Sequence, residues 1–538
     1  MTCSKIFSGD LPELTTEIIR YFRNDISTLY SCILVNRLWC RLTIKLLWEN
    51  PFSNPTKNHD FINVFLYHLT EDNKKRLNDK YGINNNLYPS NTLFNYPSFI
   101  KCLNIQKFLW SIKKWVANVK NLTEKGYLLS SQDINQDLFK TFIKNEVNLH
   151  TFEFIVNRKC CNYFDSIFEL IKRNPNFICN IKNFKLCFDE KVANITKFYS
   201  FLKFLYSNCN SISSLYFKLF FYFNDNSDIT TTLLSKEYLP KIIRSQKNLK
   251  KISFEGCVNF SLYHSLLSLK NSNCSNTLNT IIFHHINLRG ITSTLSEVFE
   301  HLNVLESIHI IYCSSLDTDF VEQINNITKP FKLKSLFISD KSQIESIDLL
   351  LQKHGVYLEN FGCGSESKQL FKSIMKYCTK IKYFDLFDLD DSHDNITTAF
   401  NLIQIIAQSL NYLSIESVDI EFSSIVLRCL GQMLPAKLEY LNLYLMFNSK
   451  GLETFLNNSR NVFIKKLSIR NEMQDDDILP CIKKYIMEQR RVKYLAVDFK
   501  TKDLFYLKDE VKEFKLYDIV VQNYDKLAIY YYNFIGIY

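Results

Sequence analysis

The sequence predicts an α/β chain: a small three-helix domain over residues 9–50, then a solenoid of strand–helix repeats over residues 99–538. Three observations predict it. At 538 residues the chain is too long for one ordinary globular core, which leaves several domains or an array of repeats. A six-residue apolar pattern recurs from residue 149 almost to the end. The opening residues lack that pattern and carry apolar positions at helical spacing instead. A hydrophobic content of 46% with 22% charged residues suits a folded chain and excludes wholesale disorder.

Residues 1–8 read as an N-terminal tail without the apolar stretch of a signal peptide. Asp10 and Glu13 flank Leu11-Pro12, an expected capping box with proline in the first turn, where its missing N–H costs nothing. Leu14, Ile18, Ile19 and Phe22 then form one face of a helix that ends near Arg23-Asn24. Asp25 or Ser27 starts a second helix. Val35, Leu38, Trp39, Leu42, Leu46 and Leu47 make the stripe of a third, stopped by Trp48-Glu49-Asn50-Pro51. Trp39 and Leu42 are expected in the core of this unit. Residues 51–98 read as a linker or the first helical part of the solenoid.

The recurring pattern is Φ-x-x-Φ-x-Φ, with Φ apolar. Fourteen copies start at residues 149, 181, 212, 249, 278, 305, 333, 358, 381, 410, 438, 464, 492 and 511, about 28 residues apart on average. An earlier copy, IKCLNI at Ile100, belongs to the same series. The last two apolar positions of each copy are two apart and so point to one face of a short strand. The residues between copies carry helix-spaced apolar positions, as in SEVFEHLNVLESI at 296–308. One such unit cannot bury its apolar face alone, whereas stacked units share a continuous core.

The repeats resemble the longer form of the leucine-rich repeat. LKKISFEGC, ending at Cys257, and LESIHIIYC, ending at Cys313, extend the match to the cysteine-containing type. That resemblance implies a horseshoe with parallel strands on its concave face and helices outside. The opening Leu-Pro-Glu-Leu, Ile-Ile and Tyr-Phe, then Cys-x-Leu-Val-Asn-Arg-x-Trp and a closing Leu-Trp, resemble the F-box over about residues 9–50. Together the two parts resemble the F-box/leucine-rich-repeat proteins. The family implies a non-catalytic substrate receptor of an SCF-type cullin ubiquitin ligase. Its F-box would dock on a Skp-type adaptor, and through it a cullin, while its repeats hold a protein substrate for ubiquitination by other subunits. By position in the motif, the adaptor-facing residues would be Leu11, Pro12, Leu14, Ile18, Leu34, Val35 and Asn36. The alternative is a repeat scaffold without ligase recruitment, in which residues 11–50 only cap the solenoid.

On the concave face, the position just before the second Φ reads Tyr383, Tyr412, Tyr440, Lys466 and Tyr494 in the C-terminal units. Just after the third Φ the same units give Phe387, Glu416, Tyr444, Arg470 and Asp498. Aromatic residues interleaved with charge have the composition of a binding hot spot. The expected substrate contacts are therefore Tyr383, Phe387, Tyr412, Tyr440, Tyr444, Arg470 and Tyr494. His284, His285 and His309 fall on the same face without a cysteine or carboxylate at metal-ligand spacing.

Other functions find little in the sequence. Eleven glycines in 538 residues is scarce for a chain that must cradle phosphates. No nucleophile elbow, Walker loop, dinucleotide fingerprint or HExxH helix occurs, so no catalytic residue and no cofactor or metal is expected. The glycines of GCGS at 362–365 have a packing explanation, and DLFDLDDSHD at 385–394 lacks the glycine and terminal glutamate of a calcium loop. The net charge of +10 is spread without a basic block, which argues against nucleic acid. No apolar run reaches the ~18 residues needed to span a bilayer. The sixteen scattered cysteines read as reduced, buried thiols of a cytoplasmic or nuclear protein.

Overall fold

The computed structural model describes residues 11–23, 25–53, 59–83, 91–118, 124–156, 161–189, 195–220, 233–256, 262–270, 272–338, 344–364, 368–387, 393–473, 477–500 and 502–535. The tail at 1–8, the capping residue Asp10 and the repeat cysteine Cys257 lie outside the described residues. The chain forms two compact units, Met1–Ile252 with Leu267–Thr277, and Ser253–Leu266 with Leu278–Tyr538.

Fifteen strands follow one another through the sheet in chain order, as a repeat array requires. They begin with β1 (Cys102–Asn104), β2 (Thr151–Val156), β3 (Asn183–Asp189), β4 (Ser214–Phe220) and β5 (Lys251–Gly256). Next come β6 (Thr280–His284), β7 (Ser307–Ile311), β8 (Lys332–Ile338), β9 (Asn360–Gly364) and β10 (Tyr383–Phe387). The last are β11 (Tyr412–Glu416), β12 (Tyr440–Leu445), β13 (Ile464–Asn471), β14 (Val492–Asp498) and β15 (Val520–Val521). Helices connect them on the outside, so the architecture is an α/β leucine-rich-repeat-type solenoid. No helix among the described residues is long and apolar enough to cross a membrane.

The hexads place the strands. The first Φ of thirteen copies is buried, among them Leu149, Ile181, Leu249, Leu358, Ile381 and Leu410, each fully so. The copy at Val511 is the exception: it lies in the helix Lys508–Leu516, and the final strand is β15. Its first two apolar positions, Val511 and Phe514, are three apart and suit a helix face equally well. Asp509 and Glu510 in the first turn and Lys515 in the last favour the helix dipole. The third position, Leu516, is 79% exposed, so no strand face exists there.

In the first unit, three helices pack as expected: α1 (Pro12–Tyr21), α2 (Ile26–Ile33) and α3 (Arg37–Leu47). Ile19, Leu29, Cys32 and Trp39 form their core, with Ile18, Phe22, Leu42, Leu46 and Leu47 against it. Asp25 caps α2 by accepting from Thr28 N–H, and Asn36 caps α3 by accepting from Trp39 N–H. Two details differ from the sequence reading. Leu11 is the cap residue of α1 and supplies no side-chain cap; instead its carbonyl accepts from the Thr15 N–H and hydroxyl. Val35 precedes the Asn36 cap and so lies outside α3.

A single device joins these helices to the sheet. The Glu49 carbonyl accepts from both Lys101 and Cys102 N–H, each at 2.9 Å. The Lys101 carbonyl likewise accepts from His150 (2.8 Å) and Thr151 (3.0 Å), and the His150 carbonyl from Lys182 and Asn183 (both 2.9 Å). Ser213 repeats the arrangement with Lys250 and Lys251, at 2.8 and 3.0 Å. At these joints a carbonyl thus receives two successive amides from the next repeat, and Glu49 is the first rung. In the second unit, Asn279 receives Glu306 and Ser307 in the same way, at 2.9 and 3.0 Å.

Buried thiols add to the joints between repeats. Cys209 Sγ donates to the Ile178 carbonyl at 3.3 Å, and burial pushes its pKa up to about 12. Cys313 and Cys378 are pushed to about 12 for the same reason, which keeps them protonated and unreactive.

Candidate protein-interaction surfaces

Helix α1 carries two apolar stripes about 100° apart. Thr15, Ile19 and Phe22 lie at i, i+4 and i+7 and turn into the three-helix core, where Thr15 and Ile19 are buried. Leu14, Ile18 and Tyr21 repeat that spacing one residue earlier. This second stripe is largely open: Leu14 is 44% exposed and Tyr21 90%, while Ile18 is half-buried against the core. The sequence reading merged the two stripes into one face, since an apolar arc this wide does not announce which edge the other helices will cover.

The turn between α2 and α3 adds Leu34, 86% exposed, and Val35, 45% exposed. Of the other residues expected to face an adaptor, Pro12 is exposed and Leu11 half-buried. Asn36 is half-buried with its carboxamide oxygen committed to the Trp39 N–H, so its side chain acts as a helix cap. Tyr21 and the exposed Tyr30 went unpredicted. The i+7 spacing from Leu14 would have found Tyr21.

The second surface is the face of β6–β14 turned away from the helices. The expected column is in register: Tyr383 pairs with Tyr412, Tyr412 with Tyr440, Tyr440 with Lys466, and Lys466 with Tyr494. The row from Phe387 through Glu416, Tyr444 and Arg470 to Asp498 is likewise in register. Exposure is where the expectation fails. Tyr383 is 1% exposed and Tyr440 0%.

The cover is the chain's own segment 523–535, which leaves β15 and lies back across the strands. Tyr524 stacks under the Arg470 guanidinium at 4.2 Å and donates its hydroxyl to Asn442 Oδ1 at 2.8 Å. Ile529 N–H donates to Tyr440 Oη at 2.9 Å. Phe534 sits against both Tyr383 and Tyr412, with ring centroids 4.7 and 4.8 Å away. Tyr531 lies edge-on to Tyr312 at 5.4 Å and beside Phe337 at 5.2 Å. Its hydroxyl is 2.8 Å from His284 Nε2. Tyr494 and Ala528 flank the small cluster of Ala496, Tyr524 and Leu527.

The remaining expected contacts are held by the protein itself. Arg470 pairs with Asp498 at 2.8 Å and faces Tyr444 with 5.5 Å between guanidinium and ring. The Phe387 ring lies against Gly364, where a Cβ would stand 2.5 Å from it, and edge-on to Tyr312 at 5.6 Å. Gly362 leaves room for Phe337 in the same manner. Both glycines of the GCGS stretch thus serve ring packing. A strand pattern reports which way a side chain points and is silent on a segment that lies over it, so from the pattern alone the aromatic column reads as free surface.

Beneath the segment runs a second row, Asp385, Ser414, Asn442 and Ser468, paired strand to strand. Burial pushes the Asp385 carboxyl up to about 6, with Ser414 and Tyr383 hydrogen bonds offsetting part of the effect. Asn442 Nδ2 donates to Ser414 Oγ at 3.2 Å. Of the three histidines, His284 and His285 lie with ring centroids 4.4 Å apart, and His285 stacks on Tyr312 at 5.5 Å. His284 Nδ1 lies 3.1 Å from Glu255 Oε2, within ion-pairing distance though not aligned for a hydrogen bond, and His309 Nδ1 is 2.8 Å from Ser335 Oγ. No group of metal-ligating side chains occurs among the described residues.

No family model and no curated protein sequence matches the chain. Among solved structures it is similar to the complex of Rad7 and Elc1 in yeast, with 16% identity, a TM-score of 0.34, and 50% of this chain and 69% of that chain covered. It is also similar to the leucine-rich repeat-containing protein LegL7 from Legionella pneumophila, with 9% identity, a TM-score of 0.32, and 51% and 93% covered. Scores at this level leave the solenoid assignment resting on this chain's own strands, register and connecting helices.

Proposed function

We propose that the chain is a non-catalytic substrate receptor of an SCF-type cullin ubiquitin ligase. Its three N-terminal helices dock on a Skp-type adaptor through Leu11, Pro12, Leu14, Ile18, Leu34, Val35 and Asn36, with Tyr21 and Tyr30 extending the contact. The strand face of the solenoid holds the protein substrate. The observation that carries this reading is the second apolar stripe of α1 together with exposed Leu34 and Val35. Leu14, Tyr21, Leu34 and Val35 stand outside the small core, and apolar helix surface of this kind is recognised in a groove of a partner.

The test is co-purification with a Skp-type adaptor, wild type beside Leu34→Asp. Because Leu34 is 86% exposed, the change should act chiefly on docking, and circular dichroism of the variant checks that the helices remain. Capture by the wild type and at least a ten-fold loss in the variant are expected. A folded wild type that captures no adaptor overturns the reading.

One observation favours a second reading. The Glu49 carbonyl forms the first rung of the repeat ladder, as the cap of a scaffold would. Failure of adaptor capture would leave that reading: an interaction scaffold with no ligase recruitment.

A further inference from the structure

The segment 523–535 covers the strands in the manner of a bound peptide. After Gln522 N–H donates to the Leu495 carbonyl, the path continues as two short helices, Tyr524–Leu527 and Tyr531–Ile535. Side chains rather than strand pairing hold it: Tyr524 on Arg470 and Asn442, Tyr531 on His284, and Phe534 between Tyr383 and Tyr412. Its other side faces solvent, with Asp525, Lys526, Tyr530 and Asn533 exposed. The layer is one segment thick.

The floor is also unlike a core. A face folded only to be sealed would be apolar, yet Ser414, Asn442 and Ser468 are buried polar residues there, beside half-buried Asp385. Hydrogen-bonding groups beneath aromatic walls fix the orientation of a ligand, as in other recognition sites. The Asn442 amide shows this directly, accepting from the Tyr524 hydroxyl and donating to Ser414.

We propose that the face of β6–β14 is a binding groove for an aromatic-rich polypeptide segment of a partner protein, and that residues 523–535 occupy it in cis. The segment reads out what the groove accepts: Tyr-x6-Tyr-x2-Phe, set by Tyr524, Tyr531 and Phe534. The first ring goes to the Arg470 and Asn442 end, the second reaches His284, and the third enters between Tyr383 and Tyr412. The partner gains access when it displaces the cis segment. This inference rests on reading the strand face as the substrate-holding surface. Adaptor capture is measured at the other end of the chain, so either can fail alone.

The probe is a fluorescently labelled peptide of residues 523–538, added to full-length protein and followed by anisotropy. Tethering gives the cis segment an effective concentration on the order of millimolar, so the wild type should bind the peptide weakly. The full-length double variant Tyr531→Ala, Phe534→Ala loosens the cis segment. It should bind the wild-type peptide at least ten-fold more tightly than wild-type protein does, and should not bind a peptide carrying the same two changes. A folded double variant that ignores the peptide, or binding that is indifferent to those two residues, overturns the proposal. Hydrogen exchange on the wild type decides the matter if the variant misfolds. Amides of 523–535 should exchange at least a hundred-fold faster than those of β9–β12, and equal rates would make the segment an integral layer and overturn the proposal. Concentration-dependent dimerisation that buries the groove would make a second copy the occupant, overturning the partner assignment.

Discussion

Adding one methyl group at Gly362 tests whether the aromatic arrangement on the strand face is as tight as described. An alanine Cβ there would stand 2.3 Å from Phe337 Cδ1 and 2.7 Å from Cε1, where ordinary contacts begin at 3.4 Å. Asp385 Cβ, at 3.2 Å, blocks relief on the other side. The Phe337 ring must therefore move by roughly 1 Å, but it is fully buried among Tyr312, Tyr383 and Tyr531. Overpacking of this kind costs about 1–3 kcal/mol. Replacing a strand glycine by alanine recovers about 0.5–1 kcal/mol of backbone entropy, so the clash wins by roughly 1–2 kcal/mol. Gly290→Ala is the control: nothing lies within 4 Å of its Cβ, and it should stay within about 0.5 kcal/mol of wild type. The assay is native-state hydrogen exchange of β8–β10 amides, because an array of this length need not unfold in one step. Gly362→Ala protection equal to that of Gly290→Ala would refute the packing argument.

Two groups shielded from water, half-buried Asp385 and buried His354, should give opposite pH slopes over nearly the same range. Asp385 titrates near 6 in the folded chain against an ordinary 3.8, so the folded state holds the extra proton and stability falls as pH rises from about 4 to 6, by on the order of 3 kcal/mol. His354, stacked on Phe331 and lowered from 6.5 to about 4 mainly by burial, gives the reverse: its stability is present above 6.5 and is lost as pH falls toward 4, by a similar amount. Urea titrations between pH 4 and 7 should show Asp385→Asn more acid-sensitive than wild type and His354→Gln less so, and parallel profiles for all three would contradict both assignments. At the other end of the chain, Trp39→Ala removes the largest member of a four-residue core, at about 3–5 kcal/mol. Amides of 11–47 should then lose protection while β9–β12 keep theirs, and retained protection at the N-terminus would show that the three helices do not depend on this core.

The hexads made most of the solenoid legible because each couples an alternating strand face to a fixed buried position, and thirteen of the fourteen mark strands. Val511 misled because two of its three apolar positions satisfy a helix as well. Within the N-terminal helices, Trp39, Asp25 and the stop after Leu47 followed from local chemistry, whereas the division of α1 into a buried and an open stripe depends on where α2 and α3 pack. The strand face was half legible. Its register came out correctly from Tyr383 to Tyr494, yet its accessibility depended on Tyr524, Tyr531 and Phe534, which lie outside every repeat and carry no periodic signal.

The hydrogen bond between Tyr531 and His284 joins residues 247 apart in a fold whose repeats mainly meet their neighbours in sequence. Stability in such an array adds up link by link, and folding can start anywhere along it. A strap running from beyond β15 back to β6 changes this, because opening any repeat beneath it also strains the strap. While the strap is seated, the repeats from β6 to β15 are therefore coupled to one another, and that coupling is lost when the strap lifts. The closing contact spans a long stretch of chain, and the entropy of closing that loop makes it a late step. Residues 523–535 are synthesised after every strand, so a nascent chain keeps its aromatic row uncovered until synthesis has passed them. The strap can thus close over the aromatic row only after the array beneath it exists.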